Sequence, residues 1–367
     1  MKYKSKILLA IGSSEIGGAQ KVFHNLVKEL INKKKSLIVV LPEGDLFEKL
    51  KNYEIEIHKI NFSSIYSFSK IIQLLRINNI YLINTYLTKC SILFSIINIF
   101  FRKAICCSLH NSIIHEKLNF VERKVYPFFY HFLYRISNGI IVSSSYNKNH
   151  FSEIAKIPKD FIKVIHNSVD KIENSYNKVN ITNSKRKLRI GYIGRLSKEK
   201  GVIYLLKSLK VLKKKIDFDC SIIGDGPMRE KLELFSKLNL LNDRVKFLGF
   251  KSNVYKLIKN LDVIVVPSLN EAFGMTIIEA FSQHKIVIAS NIDAIPELII
   301  HKETGLLFPV KDYLKLNDLL IYVYKNKKDV IKIQNNAYKF YINNFIHPVF
   351  IDKTLKYFNN LTNNFKG

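Results

Sequence analysis

Short apolar runs alternate with longer amphipathic segments along the first half of the chain. The runs predict strands at Ile7–Ile11, Leu37–Leu41, Tyr81–Thr85, Ala104–Leu109, Gly139–Ser143 and Phe161–Ile165. The segments between them predict helices at Ala19–Leu30, at Ser69–Ile77 and, in an aromatic-rich stretch, from about Phe120 to Ile136. This alternation is typical of a parallel sheet covered by helices on both faces.

A polar, aperiodic stretch, residues 171–187, predicts a linker, and the alternation then starts again. Strands are predicted at Leu188–Ile193, Phe218–Ile223, Val245–Leu248, Val263–Val266 and Ile286–Ala289. Helices are predicted at Gly201–Lys213, at Met228–Leu238, from near Gly274, and from Tyr313 to about Asn343. The sequence therefore predicts two α/β domains, 1–170 and 188–345. We expect ligands outside the carboxyl ends of their strands.

Composition supports two packed cores and excludes several protein classes. The chain has 367 residues, of which 47% are hydrophobic, enough for two domains of about 150–200 residues. Its four cysteines form no CxxC pair, which argues against a zinc framework or a disulfide scaffold. The longest apolar stretch, Ile92–Phe101, is far shorter than the roughly 20 residues that cross a bilayer. No signal peptide is recognisable, so we expect a soluble cytoplasmic protein.

The formal net charge of +28 is the one compositional anomaly. It is spread evenly, with +13 in residues 1–180 and +15 in the remainder. Three interpretations are open: a solvated surface produced by lysine-rich codon usage, attraction to an anionic membrane surface, and nucleic-acid binding. No nucleic-acid-binding signature accompanies the charge, so that interpretation is the least favoured.

Two glycine-containing turns after predicted strands suit phosphate binding. Gly17-Gly18 opens the first predicted helix, where backbone N–H groups and the helix dipole favour an anion; a plain tight turn is the alternative. In the second domain, Arg195 and Lys200 stand between Gly194 and Gly201, a spacing suited to gripping a diphosphate. Ordinary surface charge is the alternative there.

Two glutamates follow the apolar strand Val263–Val266. Glu271 and Glu279 are eight residues apart, or roughly 12 Å if the segment between them were wholly helical. That separation is too large for two carboxylates acting on one bond, but it suits one acid at each end of an elongated ligand, with Gly274 between them. Alternatively, Glu279 is an exposed helix residue and Glu271 supports the helix dipole. The spacing alone leaves both possibilities open.

Taken in order along the chain, these motifs resemble the retaining glycosyltransferases of family 4, which have the GT-B fold. The motifs that carry the resemblance are Gly17-Gly18, Gly194-Arg195-Leu196, Lys200-Gly201, Gly224-Asp225-Gly226-Pro227, Phe247-Leu248-Gly249-Phe250, Pro267-Ser268, the Glu271/Glu279 pair and Thr304-Gly305. The resemblance implies two Rossmann-like β/α/β domains facing a central cleft. It also implies a C-terminal helix, residues 346–367, that crosses back onto the first domain.

The resemblance also implies roles for individual residues. Arg195 and Lys200 are expected to hold the donor diphosphate, Glu279 the ribose and Glu271 the donor sugar. The implied catalytic residues are His110, Glu271, Arg195 and Lys200. The implied donor-binding residues are Gly17, Gly18, Arg195, Lys200, Phe250, Lys251, Glu271, Phe273, Gly274, Met275, Thr276 and Glu279. Departures from the family pattern at Gln20, Ala272 and Asn167-Ser168 leave these charged positions intact.

The implied reaction moves a hexose or N-acetylhexosamine from a nucleotide diphosphate sugar, with a UDP-sugar favoured. No metal and no cofactor are expected, because the fixed cations can stabilise the leaving diphosphate. The expected acceptor is a lipid-linked or surface-polysaccharide intermediate, with the aromatic helix Phe120–Ile136 either touching the bilayer or packing in the core. The alternatives are a soluble small acceptor and a non-catalytic subunit that binds another glycosyltransferase.

Overall fold

The structure is a computed structural model that describes residues 5–15, 17–64, 66–109, 120–171, 187–251 and 253–366. The chain divides into two compact units. The first unit contains Met1–Ser168 together with His347–Gly367, and the second contains Val169–Ile346. Each unit is built on its own parallel sheet. Position 110, where the sequence suggests a catalytic histidine, lies outside the described residues.

The first unit has a seven-stranded sheet in the order β3-β2-β1-β4-β5-β6-β7. Its strands are β1 Lys6–Ile11, β2 Leu37–Leu41, β3 Glu56–Lys59, β4 Ile80–Tyr86, β5 Ala104–Leu109, β6 Gly139–Val142 and β7 Ile162–Val164. Its helices are α1 Gly18–Asn32, α2 Asp45–Leu50, α3 Tyr66–Ile77, α4 Thr88–Phe101, α5 Phe120–Ile136, α6 Ser145–Ala155 and, from the end of the chain, α14 His347–Lys366. Every residue of β2 and β5 is buried, because helices cover both faces of the sheet.

The C-terminal helix α14 belongs to the first unit. It contacts α1, β4 and β5, and its apolar side chains Ile351 and Phe358 are fully buried. At its start, buried His347 and Ser168 share a hydrogen bond of 2.7 Å between Nδ1 and Oγ. This bond fixes the point where the chain returns to the first unit after the second.

The second unit has a six-stranded sheet in the order β10-β9-β8-β11-β12-β13. Its strands are β8 Leu188–Ile193, β9 Phe218–Ile223, β10 Val245–Gly249, β11 Val263–Val266, β12 Ile286–Ser290 and β13 Leu306–Phe308. Its helices are α7 Val202–Leu212, α8 Arg229–Leu238, α9 Val254–Lys259, α10 Met275–Ser282, α11 Ile295–Leu298, α12 Tyr313–Lys325 and α13 Lys327–Asn344.

The predicted α/β class and the parallel sheets are confirmed. Every strand that the apolar runs predict is present, although the run at Phe161–Ile165 is a 3-10 turn, Lys159–Phe161, followed by the short strand β7. The pattern does not predict β3 or α6, which carry several polar residues, or β13, which has only three residues. Among the described residues, no helix combines the length and the apolar character that crossing a membrane requires.

The aromatic helix α5 shows both kinds of surface that the sequence leaves open. Its Tyr130 and Leu133 are buried in the core of the first unit. Its Val125 and Phe128 are exposed, Phe128 to 70%. The helix therefore packs in the core along one side and presents an apolar side chain to solvent along the other.

A histidine in the second unit makes folding sensitive to acid. The His284 ring stacks on Tyr338 with 3.7 Å between the ring centroids. Burial, together with the adjacent Lys285, lowers the pKa of His284 from 6.5 to about 4. Between these values the unfolded chain binds a proton that the folded chain does not, so stability falls as the pH drops from about 6.5 towards 4.

We predict that His284→Asn reduces the loss of stability between pH 6.5 and pH 4, because asparagine has no ring to protonate. Asparagine also tolerates the left-handed backbone at this position, where φ is 52°. The measurement is the urea midpoint by far-UV circular dichroism at pH 7, 5.5 and 4.5, since the chain has no tryptophan to report unfolding. The same loss of midpoint in both proteins would show that His284 does not cause the acid sensitivity.

Candidate active site

The predicted site residues of the second unit lie in loops at the carboxyl edge of its sheet. The loop after β8 carries Arg195 and Lys200, and the loop after β11 carries Glu271. Strands β8 and β11 are neighbours, but the chain runs from β8 to β9 on one side and reaches β11 on the other. The two loops therefore flank the topological switch point, where open parallel sheets bind their ligands.

Backbone contacts hold these two loops together. The N–H of Leu269 donates to the carbonyl of Glu199 at 2.7 Å. Gly201 approaches Pro267 so closely that a Cβ on it would overlap the Pro267 carbonyl oxygen, and its φ of 62° is left-handed. Glycine is required here for both reasons. The side chains that each loop presents are therefore fixed relative to one another.

An ion pair forms the centre of the site. Lys200 Nζ lies 2.7 Å from Glu271 Oε2, with the two side chains exposed to 28% and 14%. Ser268 Oγ donates to the same carboxylate oxygen at 3.1 Å, and the backbone N–H of Glu271 donates to Asp293 Oδ2 at 2.9 Å. Two donors on one oxygen leave Oε1 of Glu271 available to accept from a ligand hydroxyl.

Arg195 supplies a second cation on the loop that carries Lys200. Its side chain is exposed and forms no ion pair with any residue that the structure describes. Its backbone is fixed, because its carbonyl accepts hydrogen bonds from Tyr192 Oη at 2.8 Å and from the N–H of Ser197 at 3.1 Å. Burial, and then the carboxylates of Glu271 and Glu199, raise the pKa of Tyr192, which keeps its phenol a neutral donor.

The loop after β9 supports the Arg195 loop from the other side. Gly224 has a φ of 137°, and a Cβ on it would overlap the Gly194 carbonyl. Next to it, Asp225 accepts from the Gly226 N–H at 2.8 Å and from Arg229 at 2.6 Å. These bonds hold the pKa of Asp225 below its usual value, so the carboxylate stays charged and keeps the turn closed.

The N-terminus of α10 also points to this edge of the sheet. Gly274 precedes the helix with a left-handed φ of 105°. In the first turn, Thr276 Oγ1 donates to the carbonyl of Ile193 at 3.2 Å, and Ile193 is the last residue of β8. The first backbone N–H groups of α10, which carry the positive end of its dipole, therefore lie beside the loop that holds Arg195.

Glu279 lies in the second turn of α10 and is buried, with 6% of its surface exposed. This burial excludes the alternative in which Glu279 is an exposed helix residue. Burial, and then the carboxylates of Glu279 and Asp170, raise the pKa of Tyr255 on α9. Glu279 therefore lies inside the second unit, on the helix whose first turn contacts the end of β8.

The remaining predicted residues occupy different places. Phe273 is buried in the core of the second unit, with its ring 6.2 Å from that of Phe345. Phe250, 58% exposed, and Lys251 follow β10, two strands away from β8. Gly17 and Gly18 belong to the first unit, where both are exposed at the start of α1.

Two supporting residues, Tyr192 and Asp293, are not predicted from the sequence. Asp293 follows the buried strand β12 at the same carboxyl edge and has a left-handed φ of 49°. A polar residue just after a buried strand is the signal that could have identified it. Among the residues that the structure describes, no three His, Cys, Asp or Glu side chains form a group able to hold a metal ion.

Comparison with known families assigns the chain to a class. Residues 174–340 match the family described as glycosyl transferases group 1, and residues 16–172 match glycosyltransferase family 4. The chain therefore belongs to the GT-B glycosyltransferases of family 4, as the sequence motifs indicate. This assignment covers both units, each by its own family match.

Individual relatives are distant. An uncharacterised glycosyltransferase of Methanocaldococcus jannaschii is 30% identical over 178 residues, 46% of each chain. The N-acetyl-alpha-D-glucosaminyl L-malate synthase of Bacillus anthracis is 30% identical over 49% of this chain and 48% of its own. Our chain thus spans about half the length of these curated relatives. The O-antigen biosynthesis glycosyltransferase WclY of Escherichia coli is 24% identical over 88% of this chain and 90% of its own.

Solved structures confirm the fold. The Anabaena protein Alr3699/HepE, solved in complex with UDP, superposes with a TM-score of 0.84 at 20% identity, covering 97% of this chain and 100% of that chain. Sucrose-phosphate synthase from Thermosynechococcus elongatus gives 0.80 at 16% identity, covering 97% and 99%. These similarities confirm the predicted two-domain α/β fold of GT-B type.

The loop contact at Gly201 leads to a stability prediction. We expect Gly201→Ala to destabilise the protein by about 1–3 kcal/mol, because the new Cβ would overlap the Pro267 carbonyl in a left-handed conformation. Gly18→Ala is the matched control, since a Cβ there meets nothing within 4 Å. Thermal unfolding followed by circular dichroism measures both variants. Equal melting temperatures for the two would contradict the described contact.

Proposed function

We propose that the protein is a retaining glycosyltransferase that moves a hexose or N-acetylhexosamine from a nucleotide diphosphate sugar to an acceptor. The observation that carries the proposal is the pairing of Lys200 with Glu271, on a loop that also carries Arg195 and follows the strand end contacted by the first turn of α10. A diphosphate joined to a sugar requires cations and a helix dipole for its phosphates and a carboxylate for its sugar hydroxyls. This switch point supplies two cations, a helix dipole and a partly buried carboxylate.

In this proposal the cationic side of the site acts on the leaving group. As the bond between the sugar and the diphosphate breaks, negative charge grows on the phosphate oxygens. Arg195, Lys200 and the first N–H groups of α10 stabilise that charge, and backbone contacts hold the loop and the helix that carry them. We propose that these groups do so without a metal ion.

The two glutamates bind the two ends of the donor. Glu279 accepts from the ribose hydroxyls, and Glu271 uses its available Oε1 to accept from a hydroxyl of the donor sugar. Lys200, Ser268 and Asp293 position Glu271 through the bonds described above. With only one carboxylate assigned to the sugar, we propose that retention follows from acceptor attack on the face of the leaving group, with phosphate taking the proton of the acceptor.

We propose UDP as the nucleotide and a lipid-linked or surface-polysaccharide intermediate as the acceptor, met at the cytoplasmic face of the cell membrane. The fold similarity to Alr3699/HepE, solved with UDP and with UDP-glucose, supports the nucleotide. The long alignment with the O-antigen glycosyltransferase WclY supports the acceptor class. A soluble small acceptor is the second candidate, supported by the similarity to the L-malate synthase of Bacillus anthracis.

The donor site can be tested by thermal shift with UDP, GDP, ADP and CMP sugars. We expect one nucleotide to stabilise the protein, and Arg195→Ala or Glu279→Gln to weaken its binding by about tenfold to a hundredfold, because each removes a charged hydrogen-bonding group. Lys198→Ala is the control, since it removes an exposed cation from the same loop. No response to any nucleotide would contradict the enzyme proposal and favour a non-catalytic subunit.

Catalysis can be separated from binding by slow hydrolysis of the donor in the absence of acceptor. We expect Glu271→Gln to lower kcat by about 10²–10³ with little change in nucleotide affinity, because the carboxylate acts on the sugar and not on the nucleotide. Glu303→Gln is the control, because it makes the same chemical change at an exposed position. We also expect hydrolysis to persist in EDTA; activity that vanishes in EDTA and returns with Mg²⁺ would overturn the metal-free mechanism.

A further inference from the structure

A run of 59 residues in the first unit contains no acidic side chain. From residue 57 to residue 115 the sequence has six Lys or Arg and no Asp or Glu, whereas 30 acids spread over 367 residues would place about five there. Codon usage that favours lysine adds cations, but it does not remove acids from one segment. The run contains α3 and α4, which are surface helices. The positive charge of the run is therefore available to a partner.

Helices α3, α4 and α5 form one layer on the same face of the sheet. Each leads to the next strand in the same direction along the sheet, and right-handed crossovers place such helices on one face. Accordingly, α3 contacts α4, and α4 contacts α5. We call the outward side of this layer the α3–α5 face.

Large apolar side chains on the α3–α5 face are unusually exposed. Among the described residues, six large apolar side chains are at least 70% exposed, and four of them lie on these three helices. They are Tyr66 at 72%, Ile77 at 71%, Phe100 at 79% and Phe128 at 70%. Ile99, at 51%, adds to the exposed end of α4. Exposed apolar groups concentrated in this way mark an interaction surface.

Exposed cations occur on the same helices as these apolar groups. Lys70 and Arg76 are exposed on α3, Lys89 is exposed on α4, and Arg102 is exposed directly after α4. None of these four side chains forms an ion pair with a residue that the structure describes. A surface that combines aromatic and aliphatic tips with unneutralised cations matches an anionic bilayer, which offers phosphate groups at the surface and hydrocarbon beneath them.

We propose that the α3–α5 face docks the protein on an anionic lipid bilayer. Phe100, Phe128 and Ile77 enter the boundary between headgroups and acyl chains, while Lys70, Arg76 and Arg102 contact the lipid phosphates. Nucleic acid shares the phosphates but offers no hydrocarbon layer for these side chains, so lipid fits better. The proposal deepens the proposed function, because it names the surface that brings the enzyme to a lipid-linked acceptor, but docking itself requires neither donor nor acceptor.

The test is cosedimentation of the full chain with vesicles that mix phosphatidylglycerol and phosphatidylcholine, with pure phosphatidylcholine as the neutral comparison. We expect Lys70→Glu with Arg76→Glu to weaken binding at least about tenfold, since each cation near an anionic surface contributes to attraction. Lys328→Glu with Lys332→Glu makes the same change of net charge on exposed positions of α13 and should change binding less than about twofold.

A second pair of variants tests the apolar contribution. Phe100→Ser with Phe128→Ser should weaken binding at least about tenfold, through loss of buried apolar area. The control is Leu238→Ser with Leu240→Ser, two leucines of the second unit that are 74% and 81% exposed. All four positions are on the surface, and circular dichroism verifies that each variant is folded.

Three results would overturn the proposal: no vesicle binding by the wild type, equal losses in test and control variants, or equal binding to neutral vesicles. The wild-type protein could instead self-associate without binding vesicles. If the variant with Phe100→Ser and Phe128→Ser loses that association, the face is assigned to a second copy of the chain. Nucleotide stabilisation measured on the same variants should be unchanged. That measurement separates failure of docking from failure of the proposed glycosyl transfer.

Discussion

The site depends on the contact between the loop after β8 and the loop after β11. Their strands are neighbours, and parallel pairing of Ile190 with Val263 sets the register. The backbone bond from Leu269 to Glu199 and the close approach of Gly201 to Pro267 then fix the loops at the edge. Side chains 71 positions apart in sequence, Lys200 and Glu271, meet because of this contact and not because of any local pattern.

The ion pair at this contact has more value as a positioning device than as a source of stability. Partly buried ion pairs gain Coulomb energy but lose much of it to desolvation, so their net contribution to folding is small. The added bonds from Ser268 and to Asp293 restrict Glu271 to one orientation. Such preorganisation is what stabilising a developing charge requires, since groups that must first rearrange lose part of their effect.

The burial of a strand decides whether its position can be predicted from the sequence. Strands such as Leu37–Leu41 are predictable because both faces are covered and every residue is apolar. Strand β3, with its polar sequence Glu56–Lys59, is not, since its pattern is also that of a loop. At the site, the charged residues follow from motif and spacing, but side-chain direction does not. The burial of the Phe273 ring and the bond between Glu271 and Asp293 are therefore not predictable from the sequence.

The net charge shows why local distribution matters more than the total. The two halves of the sequence have nearly equal charge, and this equality favours a diffuse solvated surface. Within the first unit, however, acids are confined to other segments, and the helices without them, α3 and α4, also expose Tyr66 and Phe100. Solvation alone explains cations, but it gives no reason for aromatic side chains to be exposed among them. A second, apolar phase does, since it lowers the free energy of both kinds of side chain at once.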